Sequence, residues 1–214
     1  MTRGAATFDI EAAAAHLRSV DPVVGALIDR FGAYQPRWHA DAYQRHLTSI
    51  LFQQLAGSAA RAIQRKWLAL YGDDGRFPTP PEILATSDDQ FRAAGVSRQK
   101  ASYLRDLAEH VVAGRLDFEH IDELSDDEVI EHLTAVKGIG VWTAHMFLMF
   151  HLGRPDVLPV GDLGVRNGMR VAYGLETVPT PKQAAEIGEK WRPYRSVGSW
   201  YMWRAVETVL PAAG

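Results

Sequence analysis

The sequence contains no cysteine, and this absence excludes several classes of site. Without cysteine the chain can form no disulfide, no cysteine-ligated zinc centre and no cysteine-held iron–sulfur cluster. The histidines offer no replacement, because the spacing of His145 and His151 fits no metal-binding motif and no His-Glu-x-x-His sequence occurs. We therefore expect no metal centre built from side chains.

The sequence also lacks a long apolar run. The longest, residues 144–152, is interrupted by His145 and His151 and is too short to cross a bilayer. The first residues carry Asp9 and Glu11 within an alanine-rich stretch, which differs from the uninterrupted apolar core of a signal peptide. We therefore expect a cytoplasmic protein that has no membrane partner.

Alternating strand patterns are scarce, whereas signals for the start of a helix recur along the chain. Asp21-Pro22 combines an N-cap residue with proline at the first helical position, and Pro181 marks another start. Ser125 and Glu128 have the spacing of a capping box. The pattern predicts an all-α fold of roughly ten or more short helices.

The net charge of −3 does not by itself indicate a nucleic-acid partner. Its distribution is uneven, because eight acidic residues and no lysine or arginine lie between Asp117 and Glu131. That leaves 18 of the 26 acidic residues against 23 basic residues in the rest of the chain. We interpret the acidic segment as a solvated face, and the basic excess elsewhere permits a DNA-binding surface.

Residues 133–170 carry the most informative pattern. A helix is predicted to end before a Gly138-Ile139-Gly140 turn, and a new helix to begin at about Val141. Glycine permits positive φ and close approach of another molecule, and the first amides of the next helix point toward an anion. The pattern predicts either a plain connection between helices or a hairpin that binds phosphate without reading sequence. A helix rather than a strand precedes the glycines, so they are not a dinucleotide fingerprint.

These residues resemble the helix-hairpin-helix DNA glycosylase superfamily, whose signature is an L-x-x-x-x-G-I-G-x-x-T-A hairpin followed by a proline, an aspartate and a short helix. Residues 49–63 resemble the I-L-x-Q-Q segment of that family, and residues 191–203 resemble the closing W-R-P-x-R-S segment of 3-methyladenine DNA glycosylase II. The resemblance extends from about residue 41 to the C-terminus. The signature positions are filled by Gly138, Ile139, Gly140, Thr143, Ala144 and Asp162.

The resemblance implies an all-α, two-lobed glycosylase fold in its short, all-helical form. Residues 1–214 would form one glycosylase unit, with a central lobe at about 41–160 that contains the hairpin 133–144, and a second lobe from 1–40 and 161–214. It also implies a monomeric, monofunctional enzyme of base excision repair in the bacterial cytosol and nucleoid. Such an enzyme flips alkylated purines, such as 3-methyladenine and 7-methylguanine, out of damaged double-stranded DNA and hydrolyses the N-glycosidic bond. No organic cofactor is implied.

Asp162 is the predicted catalytic residue. Aspartate is also a favoured N-cap, and the two roles are compatible. An ionised carboxylate beside C1′ of the flipped sugar stabilises an oxocarbenium-like transition state and can orient or deprotonate the attacking water. Gly161 stands where the family usually has a second acidic residue, which leaves Asp162 as the only carboxylate in residues 157–165.

Trp142 and Trp203, together with Met146, are predicted from the resemblance to line the base pocket. An indole face attracts a cationic ring, and N-alkylated purines are cationic. The alternative is that both tryptophans are core aromatics. Relatives that also cut the strand carry a lysine at the position of Trp142, which attacks C1′. The resemblance therefore implies no lyase step, although Lys137 lies on the other side of the turn.

Three further assignments come from the resemblance. Gln54, with Leu55 as the alternative, stands where the family inserts a wedge into the gap left by the flipped nucleotide, unless it is an ordinary polar residue at a helix end. The phosphate-binding backbone is assigned to Gly138, Ile139, Gly140 and Val141. Carbonyl ligands for a monovalent cation, Na⁺ or K⁺, are assigned to Thr134, Val136 and Ile139.

Two other functions fit parts of this pattern. A non-catalytic helix-hairpin-helix module would use the hairpin only to hold phosphates, but it would need no isolated aspartate after a turn and no cleft rich in tryptophan. A glycosylase for oxidised bases shares the hairpin, and its bifunctional form is disfavoured by tryptophan at position 142.

Overall fold

The computed structural model describes residues 5–38 and 41–207, and in these ranges it contains helices and no strand. The predicted all-α fold is confirmed. None of the helices in this part of the chain combines the length and the apolar content that a membrane span requires. The α-helices are α1 (Ile10–Val20), α2 (Pro22–Phe31), α3 (Ala42–Phe52), α4 (Gly57–Leu68), α5 (Pro80–Ala85), α6 (Asp88–Ala93), α7 (Arg98–Val112), α8 (Asp126–Thr134), α9 (Val141–Phe150), α10 (Leu163–Tyr173), α11 (Pro181–Gly188) and α12 (Arg195–Glu207). Single 3₁₀ turns lie at Ile121–Glu123 and Glu189–Trp191.

The helices begin where the capping residues predict. Asp21 caps α2, with Pro22 in the first turn, and its Oδ1 accepts a hydrogen bond from the Val23 N–H at 3.0 Å. At α8 the Glu128 carboxylate accepts from the Ser125 N–H at 2.8 Å, and the Ser125 hydroxyl accepts from the Glu128 N–H at 3.3 Å. Each cap satisfies amides that have no partner within the helix.

The chain divides into two compact units. Residues 41–144 form one unit, and the described residues before 41 and after 144 form the other. The second boundary differs from the predicted one near residue 160, because it lies inside α9, after Ala144. The reason is local packing: the ring of Phe150, at the end of α9, lies 5.8 Å from the ring of Trp203 on α12.

Helix α7 is central to the unit formed by residues 41–144. It packs against α3, α5 and α6. Its side chains Leu104 and Leu107 are completely buried, as are Leu47 and Ile50 on α3. Burial of each such side chain contributes about 1.5–3 kcal/mol, so this apolar face holds α7 firmly in place.

The core of the other unit lies between α1, α2, α10 and α12, where α10 and α12 approach each other closely. The close approach occurs at Gly168 of α10, where an added Cβ atom would lie 2.1 Å from the carbonyl oxygen of Met202. Only glycine fits at this contact, because the obstructing atom belongs to the backbone. Completely buried side chains of this core include Leu17, Val24, Val165, Met169, Trp191, Val197, Tyr201 and Met202.

Asp21 is a completely buried carboxylate in the same core. Its Oδ2 accepts hydrogen bonds from the Trp191 indole at 2.7 Å and from the Tyr173 hydroxyl, and the Lys190 ammonium lies 3.1 Å away. Burial alone would raise the pKa of Asp21, but these three donors lower it overall. The carboxylate therefore joins the start of α2 to the end of α10 and to the Glu189–Trp191 turn.

Replacing Asp21 with asparagine should lower the free energy of unfolding by about 1.5–3 kcal/mol, because buried hydrogen bonds to a charged acceptor are lost. Urea denaturation at neutral pH measures the difference. Asp29→Asn is the matched control, since Asp29 pairs with Arg18 on the exposed surface of the same helix and should contribute at most about 1 kcal/mol. Equal losses in the two variants would contradict the role given to Asp21.

The destabilisation by Asp21→Asn should also depend on pH. Because the folded-state pKa of Asp21 is lowered, the unfolded chain takes up the proton first as the pH falls. The stability from this carboxylate is complete above the unfolded pKa of about 3.9 and is lost as the pH falls through the folded pKa. The difference between the wild-type protein and the variant should therefore shrink below about pH 4.

Candidate functional site

Residues 135–140 form the hairpin that joins α8 to α9. Gly138 has a φ of +83°, a left-handed conformation that favours glycine. An added Cβ atom at Gly138 would lie 2.3 Å from the ring of Tyr103, so this α7 side chain fills the space beside the turn. Gly140 faces open space, with no atom within 4 Å of an added Cβ. Gly138 therefore fits the turn to α7, whereas Gly140 leaves the surface of the hairpin open to another molecule.

The start of α9 is a suitable anion site. Val141 and Trp142 form its first turn and are 51% and 52% exposed. The first amides of a helix have no carbonyl partner within it, and the positive end of the helix dipole favours a negative charge. The backbone from Gly138 to Val141 can therefore bind a phosphate group.

Asp106 of α7 holds the other side of the hairpin. Its carboxylate accepts a hydrogen bond from the Lys137 backbone N–H at 2.8 Å and forms an ion pair with Lys137 Nζ at 2.9 Å. Burial alone would raise the pKa of Asp106, but the bonds from Lys137 lower it, and the pKa of Lys137 is raised in turn. Lys137 is consequently protonated at neutral pH, which makes it a poor nucleophile.

Asp162 caps the N-terminus of α10, so the capping role is confirmed. Its Oδ1 accepts a hydrogen bond from the Val165 N–H at 2.7 Å and one from the Trp203 indole N–H at 2.9 Å. Its own N–H donates to the Pro159 carbonyl at 2.8 Å, which closes the preceding turn. The side chain is nearly buried, since Asp162 is only 8% exposed. These bonds hold the carboxylate in a defined orientation, which a catalytic carboxylate requires.

Gly164 allows Trp203 to reach this carboxylate. A Cβ atom at Gly164 would lie 2.8 Å from Cδ1 of Trp203 and 3.0 Å from Oδ1 of Asp162. A larger residue would therefore separate the indole from the aspartate. Gly161 is different, because it is exposed and an added Cβ would meet no atom within 4 Å. Trp203 is half-buried and packs against the core, so it is a core aromatic that also bonds to Asp162.

The predicted pocket residues fall in both units. Asp162 and Trp203 are brought together in one unit, and Trp142 belongs to the unit formed by residues 41–144. Met146 lies one turn after Trp142 on α9, beyond the boundary between the units, and is half-buried.

The predicted wedge lies in the turn between α3 and α4. Gln54 has a φ of +57°, a conformation that no other non-glycine residue adopts in the described part of the chain. Such a conformation costs about 1–3 kcal/mol and is typical of functional turns. Gln54 is exposed, and Leu55 is 37% exposed. The neighbouring Gln53 donates from Nε2 to the Gly138 carbonyl at 2.7 Å, so this turn is bonded to the hairpin.

The backbone at the end of α8 fits the predicted cation. The helix ends at Thr134, so carbonyls of its last turn lack partners within the helix and lie at the negative end of the helix dipole. The Val136 carbonyl accepts from the Ile139 N–H at 3.1 Å, which leaves it a second lone pair. Neutral oxygens in this position suit a hard monovalent cation. Among side chains of the described residues, no group of three or more His, Asp or Glu could hold a metal ion.

Sequence reasoning missed three residues that support the hairpin. Gln53, Tyr103 and Asp106 contact it from positions far away in the sequence. Nothing in their residue types or local spacing indicates these contacts, because a glutamine at a helix end and polar residues on a helix are ordinary surface features. Only the folded packing of α3 and α7 brings them to the turn.

Comparison with known proteins gave consistent matches. A family model described as "HhH-GPD superfamily base excision DNA repair protein" matches residues 47–193. DNA-3-methyladenine glycosylase 1 of Schizosaccharomyces pombe is 35% identical over 193 residues, which cover 88% of this chain and 84% of that protein. The solved structure of the S. pombe 3-methyladenine DNA glycosylase in complex with abasic DNA has a TM-score of 0.79 and 34% identity, covering 95% of this chain and 99% of that one. DNA-3-methyladenine glycosidase from Bacillus halodurans has a TM-score of 0.82 and 37% identity, covering 96% and 93%.

The two hairpin glycines should respond differently to alanine. Gly138→Ala should lower the free energy of unfolding by about 2–4 kcal/mol, because the new Cβ collides with Tyr103 and the left-handed backbone disfavours it. Gly140→Ala should change it by no more than about 0.5 kcal/mol, since its Cβ enters open space. Urea denaturation of both variants makes the comparison, and similar losses would show that Tyr103 does not determine the turn.

Proposed function

This chain belongs to the HhH-GPD superfamily of base excision DNA repair proteins, and we propose that it is a monofunctional glycosylase that removes alkylated purines from double-stranded DNA. The observation that carries the proposal is the nearly buried Asp162 carboxylate, which caps α10 and is oriented by the Trp203 indole. The related proteins from S. pombe and B. halodurans are named for 3-methyladenine, and this supports the same substrate class here.

Asp162 supplies the charge that the reaction needs. As the bond between C1′ and the base nitrogen breaks, its electron pair leaves with the base and positive charge develops on the sugar. A fixed carboxylate stabilises that charge, and it costs little reorganisation because the Val165 amide and the Trp203 indole already hold it. The same carboxylate orients or deprotonates the water whose oxygen joins C1′, and an abasic site remains.

The single carboxylate also favours cationic substrates. A purine alkylated at N3 or N7 already carries positive charge and departs as a neutral base, so its departure requires no general acid. Residues 157–165 contain no acidic residue besides Asp162, unlike the carboxylate pair of a conventional glycosidase. We therefore assign 3-methyladenine and 7-methylguanine as substrates.

The hairpin chemistry supports hydrolysis without strand cleavage. A lyase step requires an unprotonated amine that attacks C1′. Position 142 is tryptophan, and the nearby Lys137 is held as a cation by Asp106. Neither residue supplies the nucleophile for a Schiff base.

We assign the hairpin backbone to a phosphate of damaged double-stranded DNA, and we propose that the protein acts as a monomer. The carbonyls of Thr134, Val136 and Ile139 would hold Na⁺ or K⁺. When bound, the cation would add positive charge beside the phosphate site. Gln54 and Leu55 lie at an exposed turn, where a side chain can enter the gap left by a flipped nucleotide.

The direct test is release of bases from N-methylated duplex DNA, identified by chromatography. The wild-type protein should release 3-methyladenine and 7-methylguanine. Asp162→Asn should lower the single-turnover rate at least about 100-fold, or roughly 2.7 kcal/mol, because the amide can still accept the capping bond but lacks the charge. DNA binding should be unchanged.

Asp9→Asn is the matched control, since Asp9 is an exposed N-cap aspartate at α1 and should retain the wild-type rate. Near-normal release by Asp162→Asn would remove the catalytic role from Asp162. A wild-type protein that binds methylated DNA and releases no base would instead be the non-catalytic hairpin module.

Substitutions at Trp203 should separate its two contributions. Trp203→Phe retains an aromatic face but removes the N–H that bonds to Asp162, so it should slow the release of 3-methyladenine and of neutral hypoxanthine by similar factors. Trp203→Ala also removes the aromatic face, and it should slow 3-methyladenine release by a further factor of about 2–30 relative to hypoxanthine, equivalent to about 0.5–2 kcal/mol. Single-turnover rates measure both factors. If the alanine variant slows both substrates equally, the indole does not select for charge.

A further inference from the structure

The turn that carries the predicted wedge is joined directly to the hairpin. Gln53 ends α3, and its Nε2 donates to the Gly138 carbonyl at 2.7 Å across 85 residues of sequence. The next residue, Gln54, has a left-handed backbone with a φ of +57°. A hydrogen bond therefore links the hairpin to the residue immediately before the strained position.

The same two segments rest on one face of α7. Lys100 Nζ donates to the Leu51 carbonyl at 2.6 Å, in the last turn of α3. Tyr103 packs beside Gly138, and Asp106 bonds to Lys137 in the hairpin. Residues three apart on a helix lie on one side of it, so Lys100, Tyr103 and Asp106 form a common base for both segments. Gln53 adds the one direct bond between the segments that this base supports.

We propose that Gln53 is a positioning residue that fixes the distance between the phosphate-binding hairpin and the wedge at Gln54. The inference rests on the proposed function, because it assumes that a flipped nucleotide leaves a gap to be filled. Unstacking a base is unfavourable, and a wedge whose backbone is already arranged loses less conformational freedom on insertion. Without the bond from Gln53, the hairpin should still bind DNA, but the wedge turn should be less well placed when it does.

The role of Gln53 predicts an effect on insertion rather than on general DNA affinity. Gln53→Leu is similar in size and removes the donor. Gln64→Leu is the matched control, because Gln64 also donates a side-chain amide within this unit, to the Thr48 hydroxyl at 3.2 Å, and this bond does not involve the hairpin. Both variants should be compared at matched thermal stability.

The experiment uses a duplex that contains a tetrahydrofuran abasic analogue beside 2-aminopurine, whose fluorescence rises when the base unstacks. At saturating protein, Gln53→Leu should lower the equilibrium constant for insertion about 3–10-fold, the effect expected from one lost hydrogen bond. Gln64→Leu should leave it unchanged. Affinity for an undamaged duplex should remain within about twofold of the wild-type value for both variants, because the hairpin backbone is intact.

A second measurement separates positioning from a general defect. In a mispaired site the base is already partly unstacked, so Gln53→Leu should slow release of a paired 3-methyladenine more than release of a mispaired one. Insertion that is unchanged in Gln53→Leu overturns the proposal, and so does an equal loss of affinity for undamaged DNA. Insertion that depends on Gln53 in a protein that releases no base overturns the proposed function and leaves this inference standing. Normal base release with insertion independent of Gln53 does the reverse.

Discussion

The close approach of α10 to α12 determines where the proposed catalytic carboxylate lies. At Gly168 the two helices approach so closely that an added methyl group would overlap the carbonyl oxygen of Met202. One turn earlier, Gly164 leaves just enough room for the Trp203 indole to reach Asp162. If α10 moved outward to admit a side chain at either glycine, that hydrogen bond would lengthen and break. Core packing and the geometry of the site are therefore one constraint, set by two small residues on a single helix.

A different device serves the unit formed by residues 41–144. There the hairpin and the wedge turn are both irregular segments, and a long buried helix, α7, supports them from below. Irregular backbone keeps a precise shape only when a rigid element restrains it. Because Asp106 pairs with Lys137 and Tyr103 fills the space beside Gly138, the hairpin has little freedom to rearrange. Such a surface is suited to backbone phosphates, whose spacing in duplex DNA is regular.

Local features of this chain were predictable and distant contacts were not. The helix caps at Asp21 and Ser125 follow from residue type, because a cap depends on neighbours within one turn. The capping role of Asp162 was predictable for the same reason, and its catalytic role remains a prediction. The boundary inside α9 was misplaced because the packing of Phe150 on Trp203 joins residues with no sequence relation. Gln53 and Tyr103 were missed for the same cause.

Gly161 shows how the charge of the site can change without cost to the fold. Unlike Gly164 and Gly168, it is exposed, its backbone does not require glycine, and a side chain there would project into open space. The architecture consequently tolerates an acidic residue immediately before Asp162, and it also tolerates its loss. A position of this kind can drift during evolution, so that the number of negative charges beside the substrate is tuned while the helices stay in place. The neighbouring glycines of α10 have no such freedom, and within one short stretch of chain adaptable and unchangeable positions are separated by only a few residues.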